Sequence, residues 1–317
     1  MVKKLIDETW SILEGAALNT SGPSYGEYAI ALGKNERVFS LAHLGEWLDP
    51  EKFNKYPTVY FKPTFNKGVF EYFSQQLREL RSGDWGEDSI KKAKGFTELW
   101  ERIFLEEKHP EFWSYLLALY EEFYPKEINE LERINELAIP IYERSFHLAG
   151  FIFYAAVKNG IYDGETLREI FLVGLFLDSG LAHPSFHYNF YTALEMDRSG
   201  TQSGITFLKE FGHSEEDIQF YINHGHVGFE FCKKTLAEYV QNERLFDLIK
   251  IHHETGPNAF PNGFTQYECD DIELIIILIN QALPYSDISK MSIGRVIEKM
   301  GQSWKGLKSH QPREVAR

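Results

Sequence analysis

A chain of 317 residues with 43% hydrophobic and 15% aromatic content can bury one large core or two ordinary ones. Its formal charge of -14 opposes non-specific binding to nucleic acid, which needs Lys and Arg to displace counterions from phosphates, so an anionic ligand requires a local cationic site. No apolar run approaches the roughly 20 residues of a spanning helix, and no charged-then-apolar signal pattern opens the chain, so no membrane association and a cytoplasmic location are expected.

The spacing predicts a short helix over residues 3–14 and a loop over 15–26. Residues 28–32 and 37–41 flank Gly33-Lys34-Asn35-Glu36 and read as a hairpin, and residues 58–62, bounded by Pro57 and Pro63, read as a third strand. Residues 1–82 are therefore expected to form a small α+β module, of a kind suited to sensing or dimerisation. From Asp84 onward strand signals vanish. Apolar positions at helical spacing mark 96–106 and 111–123, and a charged stretch, 126–133, reads as a connecting helix, so that 83–136 joins the first module to a third region, 137–317. Five helices are expected there. The first, 141–158, stops at Asn159-Gly160; the second, 165–178, ends at Ser179-Gly180. The third starts at Ser214 with a near capping box and runs to about residue 224; the fourth covers 240–254; the fifth, 268–283, is closed by Pro284. The fold class is mainly α: a C-terminal helical bundle with a small N-terminal α+β module.

Seven of the eleven histidines lie between His183 and His253, several where helices end and side chains from different helices can converge. Imidazole is the commonest transition-metal ligand, and a carboxylate such as Asp178 supplies a hard oxygen beside it. Adjacent His252 and His253 are the most specific feature, because two imidazoles buried side by side need partners for their nitrogens. A mixed His and carboxylate set suits one or two divalent ions of iron, manganese or zinc.

In order, His147 on a first helix, Asp178 within Leu177-Asp178-Ser179-Gly180, His224-Gly225-His226-Val227-Gly228, His252-His253-Glu254, Phe260-Pro261 and Asn280 on the last helix resemble the HD-GYP branch of the HD phosphohydrolases over about residues 143–285. The resemblance implies an HD-type helical bundle that hydrolyses cyclic di-GMP or another phosphoester with bound metal ions. It also implies metal ligation by His147, Asp178, His224, His252 and His253, with Glu143 and Asn280 as further candidates, and a catalytic role for Asp178. The chain departs from the family pattern at Leu177, where the family has His, at Asn280, where it has Asp, and at Leu181, where it has a phosphate-contacting Lys. Its Arg-Pro-Tyr element becomes Leu283-Pro284-Tyr285, without the cation, and residues 184–203 look inserted, with His183 and His187 spaced to share a helix face and replace a lost ligand. One ion's set, Asp178 with His224, His252 and His253, is intact.

Two readings follow. One is a metal-dependent phosphohydrolase, a cyclic di-GMP phosphodiesterase among the options. The other is an inactive relative that senses a cyclic dinucleotide or serves as a scaffold for a protein partner, its metal stapling helices together. A third, plainer view leaves the histidines together by chance on an ordinary bundle. Homo-oligomerisation is compatible with all of them.

Overall fold

The computed structural model describes residues 9–13, 21–32, 37–105, 109–199, 203–253 and 269–285. The strands are β1 (Ser11–Leu13), β2 (Gly22–Pro23), β3 (Gly26–Leu32), β4 (Arg37–Ala42), β5 (Trp47–Leu48) and β6 (Val59–Pro63). The helices are α1 (Pro50–Phe53), α2 (Lys67–Arg81), α3 (Ser89–Leu105), α4 (His109–Phe123), α5 (Glu130–Leu137), α6 (Ile139–Lys158), α7 (Gly164–Phe176), α8 (Asn189–Ser199), α9 (Gly204–Glu210), α10 (Glu215–Leu236), α11 (Glu243–Ile251) and α12 (Asp271–Ala282). The fold is mainly α, with its strands near the N-terminus. Among the described residues no helix is long and apolar enough to cross a membrane.

Two compact units emerge, Met1–Arg78 with Lys108–Glu122, and Glu79–Glu107 with Phe123–Arg317. The stretch expected to connect two modules, 83–136, is thus shared between them, α4 falling mainly in the first unit.

In the first unit a four-stranded antiparallel sheet runs in the order β1-β6-β3-β4. The expected hairpin is β3 and β4, with Ile30 opposite Phe39, and the expected third strand is β6, with Phe61 opposite Tyr28; the hairpin's tip lies outside the described residues. Period-two placement sends Tyr28 and Ile30 to one face, where they bury with Ala42, Leu48, Phe53 and Val59. Gly26 is required by the pairing, since a Cβ there would fall 2.2 Å from the Lys62 carbonyl oxygen. The helix expected over 3–14 is contradicted in its described part: Ser11–Leu13 is a strand, Ile12 lying opposite Tyr60. Helical spacing over so short a segment is outweighed by the open edge of β6, which offers backbone partners.

The second unit is built around α6. Every residue from Ile141 to Val157 except Glu143 is buried, as an almost wholly apolar helix requires, and Phe146 and Phe153 are fully enclosed. Burial of each such ring is worth about 1.5–3 kcal/mol. The helix stops at Asn159-Gly160 as expected, with Gly160 at φ 89°, a conformation that disfavours any side chain. Helix α7 packs closely on α6: a Cβ on Gly174 would meet the Ala149 Cα at 2.9 Å.

Ser214 and Asp217 close a full capping box at the start of α10, and Asp270 and Glu273 do the same for α12. The third helix of the region was expected to end near residue 224, yet α10 continues to Leu236. Gly225 and Gly228 sit inside the helix at close crossings, a Cβ on Gly225 falling 2.6 Å from the Lys250 carbonyl oxygen of α11. The segment 184–203 contains α8, fixed to its neighbours by Asp197, which accepts hydrogen bonds from Tyr221 Oη (2.6 Å) and Gly204 N (2.8 Å).

Candidate metal centre

Asp178 follows Leu177, the C-terminal cap of α7, and Ser179–Leu181 forms a 3-10 turn pressed against α10. The approach is so close that a Cβ on Gly180 would lie 1.9 Å from the His224 carbonyl oxygen and 2.7 Å from Gly228 N. Glycine here lets the Asp178 turn reach the helix bearing His224. Gly180→Ala is expected to lower the free energy of unfolding by about 1–3 kcal/mol, read from the urea midpoint; an unchanged midpoint would contradict the close packing.

His224 projects from the middle of α10, His252 caps α11 and His253 follows it. With Asp178 they form a group in which one ligand atom from each residue lies within 4.8 Å of the others. His252 Nε2 is 3.1 Å and His253 Nε2 3.8 Å from Asp178 Oδ1, and the four side chains are nearly inaccessible to solvent. Tyr285 Oη lies 3.1 Å from Asp178 Oδ1 and 3.2 Å from His253 Nε2.

The backbone decides the tautomers. His224 Nδ1 donates to the Tyr221 carbonyl and His252 Nδ1 to the Ile249 carbonyl, both at 2.6 Å, because a carbonyl can only accept. A neutral imidazole held this way presents its Nε2 lone pair. That of His224 is buried without a hydrogen-bond partner, and that of His252 faces a carboxylate oxygen. Lone pairs directed at one point in a dry interior are what a cation relieves, and unpartnered buried polar atoms cost about 1–3 kcal/mol each otherwise. The residues therefore fit a divalent ion.

Electrostatics agree. Burial and the neighbouring His252 push His224 down to about 4, and burial with His252 and His224 pushes His253 well below the usual imidazole range, so both stay neutral. Burial alone would raise the Asp178 carboxyl, but the Arg144 guanidinium beside it holds it well below the usual carboxylate range. Burial and Asp178 push Tyr285 up, keeping its hydroxyl a donor.

The other sequence candidates are placed differently. His147 is buried on α6 with Nδ1 donating to the Glu143 carbonyl at 2.8 Å, and Glu143 has an exposed side chain; neither joins the four-residue group. Asn280 is adjacent, its Oδ1 accepting from Arg144 Nη2 at 2.9 Å and its Nδ2 donating to the His252 carbonyl at 3.4 Å. His183 and His187 do not share a helix face. They lie exposed in an irregular turn before α8, their rings against Phe220 and His213. Glu254 and the Phe260-Pro261 turn lie outside the described residues.

Arg144 and Arg198 were missed by the sequence reading. Arg144, 1% exposed, pairs through Nη1 with Asp178 Oδ2, on the side away from the histidines, and its guanidinium carbon is 3.9 Å from the Tyr285 ring centre. Arg198 of α8 donates to the Leu283 carbonyl (2.9 Å) and the Asn280 carbonyl (2.8 Å) at the end of α12, 5.2 Å from the same ring. Two other helices thus bring guanidinium groups to the Leu283-Pro284-Tyr285 turn. A signal for Arg144 existed: it interrupts an otherwise apolar helix face, beside Leu148 and Phe151.

No family model and no curated protein matches this chain. Among solved structures it is similar to Bd1817, a HDG"Y"P protein from Bdellovibrio bacteriovorus, at 14% identity and a TM-score of 0.34, over 94% of this chain and 100% of that one.

Proposed function

We propose that this chain is an HD-GYP-like, metal-dependent phosphohydrolase that holds a divalent ion through Asp178, His224, His252 and His253 and acts on a phosphodiester, cyclic di-GMP being one candidate. The observation behind the reading is the buried Nε2 of His224, unpartnered and converging with a carboxylate oxygen and two further imidazoles. A bound ion of this class supplies positive charge that polarises a phosphoryl oxygen and acidifies water. The chain's own part is to hold the ligands in one protonation state: carbonyls fix the tautomers of His224 and His252, Tyr285 donates toward Asp178, and Arg144 keeps Asp178 ionised. Iron and manganese, which take six ligands, would leave positions open for substrate.

A second reading is favoured by the number of protein ligands. Three imidazoles and a carboxylate suffice to close a tetrahedral zinc site, which would make the metal a staple and the domain a sensor or a protein-binding scaffold.

One experiment separates the two. Metal content per chain is measured on protein purified without chelator, alongside hydrolysis of bis(p-nitrophenyl) phosphate, for the native chain and for Asp178→Ala. Bound metal with turnover, both lost in the variant, is the expected result. Metal without turnover supports the scaffold. No metal in the native chain overturns the reading.

A further inference from the structure

Resting on the metal site proposed above, we infer that Arg144 is a permanent internal cation which closes the second face of Asp178, so that this centre accepts a single metal ion. Asp178 presents its two oxygens to two different environments. Oδ1 faces His252, His253 and Tyr285, whereas Oδ2 is engaged by Arg144.

The surroundings of Arg144 are those of a cation site. Nη1 donates to Asp178 Oδ2; Nη2 donates to Asn280 Oδ1 (2.9 Å), the Asn280 carbonyl (3.0 Å) and the Leu283 carbonyl (3.2 Å); Nε donates to the Pro284 carbonyl (3.3 Å). Five oxygens, one of them anionic, converge on one guanidinium in a space closed to solvent. Carboxylate, amide and carbonyl oxygens are the ligands of hard divalent cations, and Arg144 fills the place such an ion would take. The end of α12 contributes to this, since its last carbonyls are directed into the cage and their dipoles favour positive charge.

Fixing a guanidinium here has two consequences for the first ion. Asp178 remains a carboxylate with one oxygen permanently engaged, which leaves Oδ1 as the single atom offered to the metal. The cage also repels a second cation. Arg144 is buried away from any substrate, so its role is to position Asp178 and to limit stoichiometry.

The test is manganese stoichiometry on the full chain, with the electron paramagnetic resonance spectrum as a second readout. At saturating manganese the native chain is expected to hold one ion with an uncoupled six-line signal. Arg144→Ala, checked for native circular dichroism, is expected to hold two, because the emptied oxygen cage becomes available. Arg144→Lys and Asn280→Asp, which keep a cation at this position, are expected to hold one. Two ions or an exchange-coupled spectrum in the native chain would overturn the inference while leaving the metal-enzyme reading intact, and so would one ion in folded Arg144→Ala. No ion in the native chain would overturn both. Should Arg144→Ala fail to fold, the native spectrum and the Arg144→Lys count decide the matter.

Discussion

Truncating Arg144 to alanine is expected to lower the free energy of unfolding of the metal-free chain by about 3–5 kcal/mol, the range typical of leaving one member of a buried ion pair behind. Asp178 would keep a charge in a solvent-free interior, and the carbonyls of Asn280, Leu283 and Pro284 would lose a donor together. Urea unfolding followed by far-ultraviolet circular dichroism measures the effect. A double variant, Arg144→Ala with Asp178→Asn, should lose clearly less than the sum of the single variants, because the amide removes the stranded charge. Strict additivity, or a loss below about 1 kcal/mol for Arg144→Ala, would mean that the pair is not the charged contact described here. Manganese should restore part of the stability of Arg144→Ala, since an ion that binds the folded state alone raises its stability.

The second expected result is a two-phase loss of stability on acidification of the metal-free chain. A histidine with an ordinary value near 6.5 when unfolded, but held down to about 4 when folded, takes up its proton only in the unfolded state between those values. The unfolded chain therefore binds more protons in that window, and stability falls as pH drops from about 6.5 to about 4, by about 3 kcal/mol for His224 alone. His253, also lowered, adds to the same phase. Asp178 governs the next phase. Its folded value is depressed, so its contribution is complete above the ordinary carboxylate range and is lost as pH falls below about 4, where only the unfolded chain is protonated. Unfolding free energies between pH 8 and pH 3 in the presence of a chelator would display both phases. His224→Gln should remove its share of the upper phase and leave the lower one; an unchanged upper phase in that variant would exclude His224 as its source.

Much of this protein is legible in the residues, and the reason differs from part to part. The 28–32 and 37–41 pairing follows from strand-forming runs flanking a short turn, and the helices that became α3, α4, α6, α7 and α12 follow from long apolar periodicity punctuated by cap residues. Such signals are local. Element ends were less secure: α10 runs past its expected stop to Leu236, with Gly225 and Gly228 inside it as contact points for Lys250 and Gly180. Strand β1 was read as a helix because its backbone partners, residues 59–61, lie far along the chain.

The sequence by itself, through the resemblance of its ordered motifs to the HD-GYP pattern, named Asp178, His224, His252 and His253 as candidates for one ion. Only the tertiary structure decided what stands on either side of them. It set His147 and Glu143 outside the group, turned Asn280 toward a guanidinium, and brought Arg144 and Arg198 from α6 and α8 to the end of α12. An ion-pair partner 34 residues away is invisible to any local pattern. What fixes it is the desolvation cost of a buried carboxylate, which only a packed interior imposes and only a charge delivered by another helix can offset.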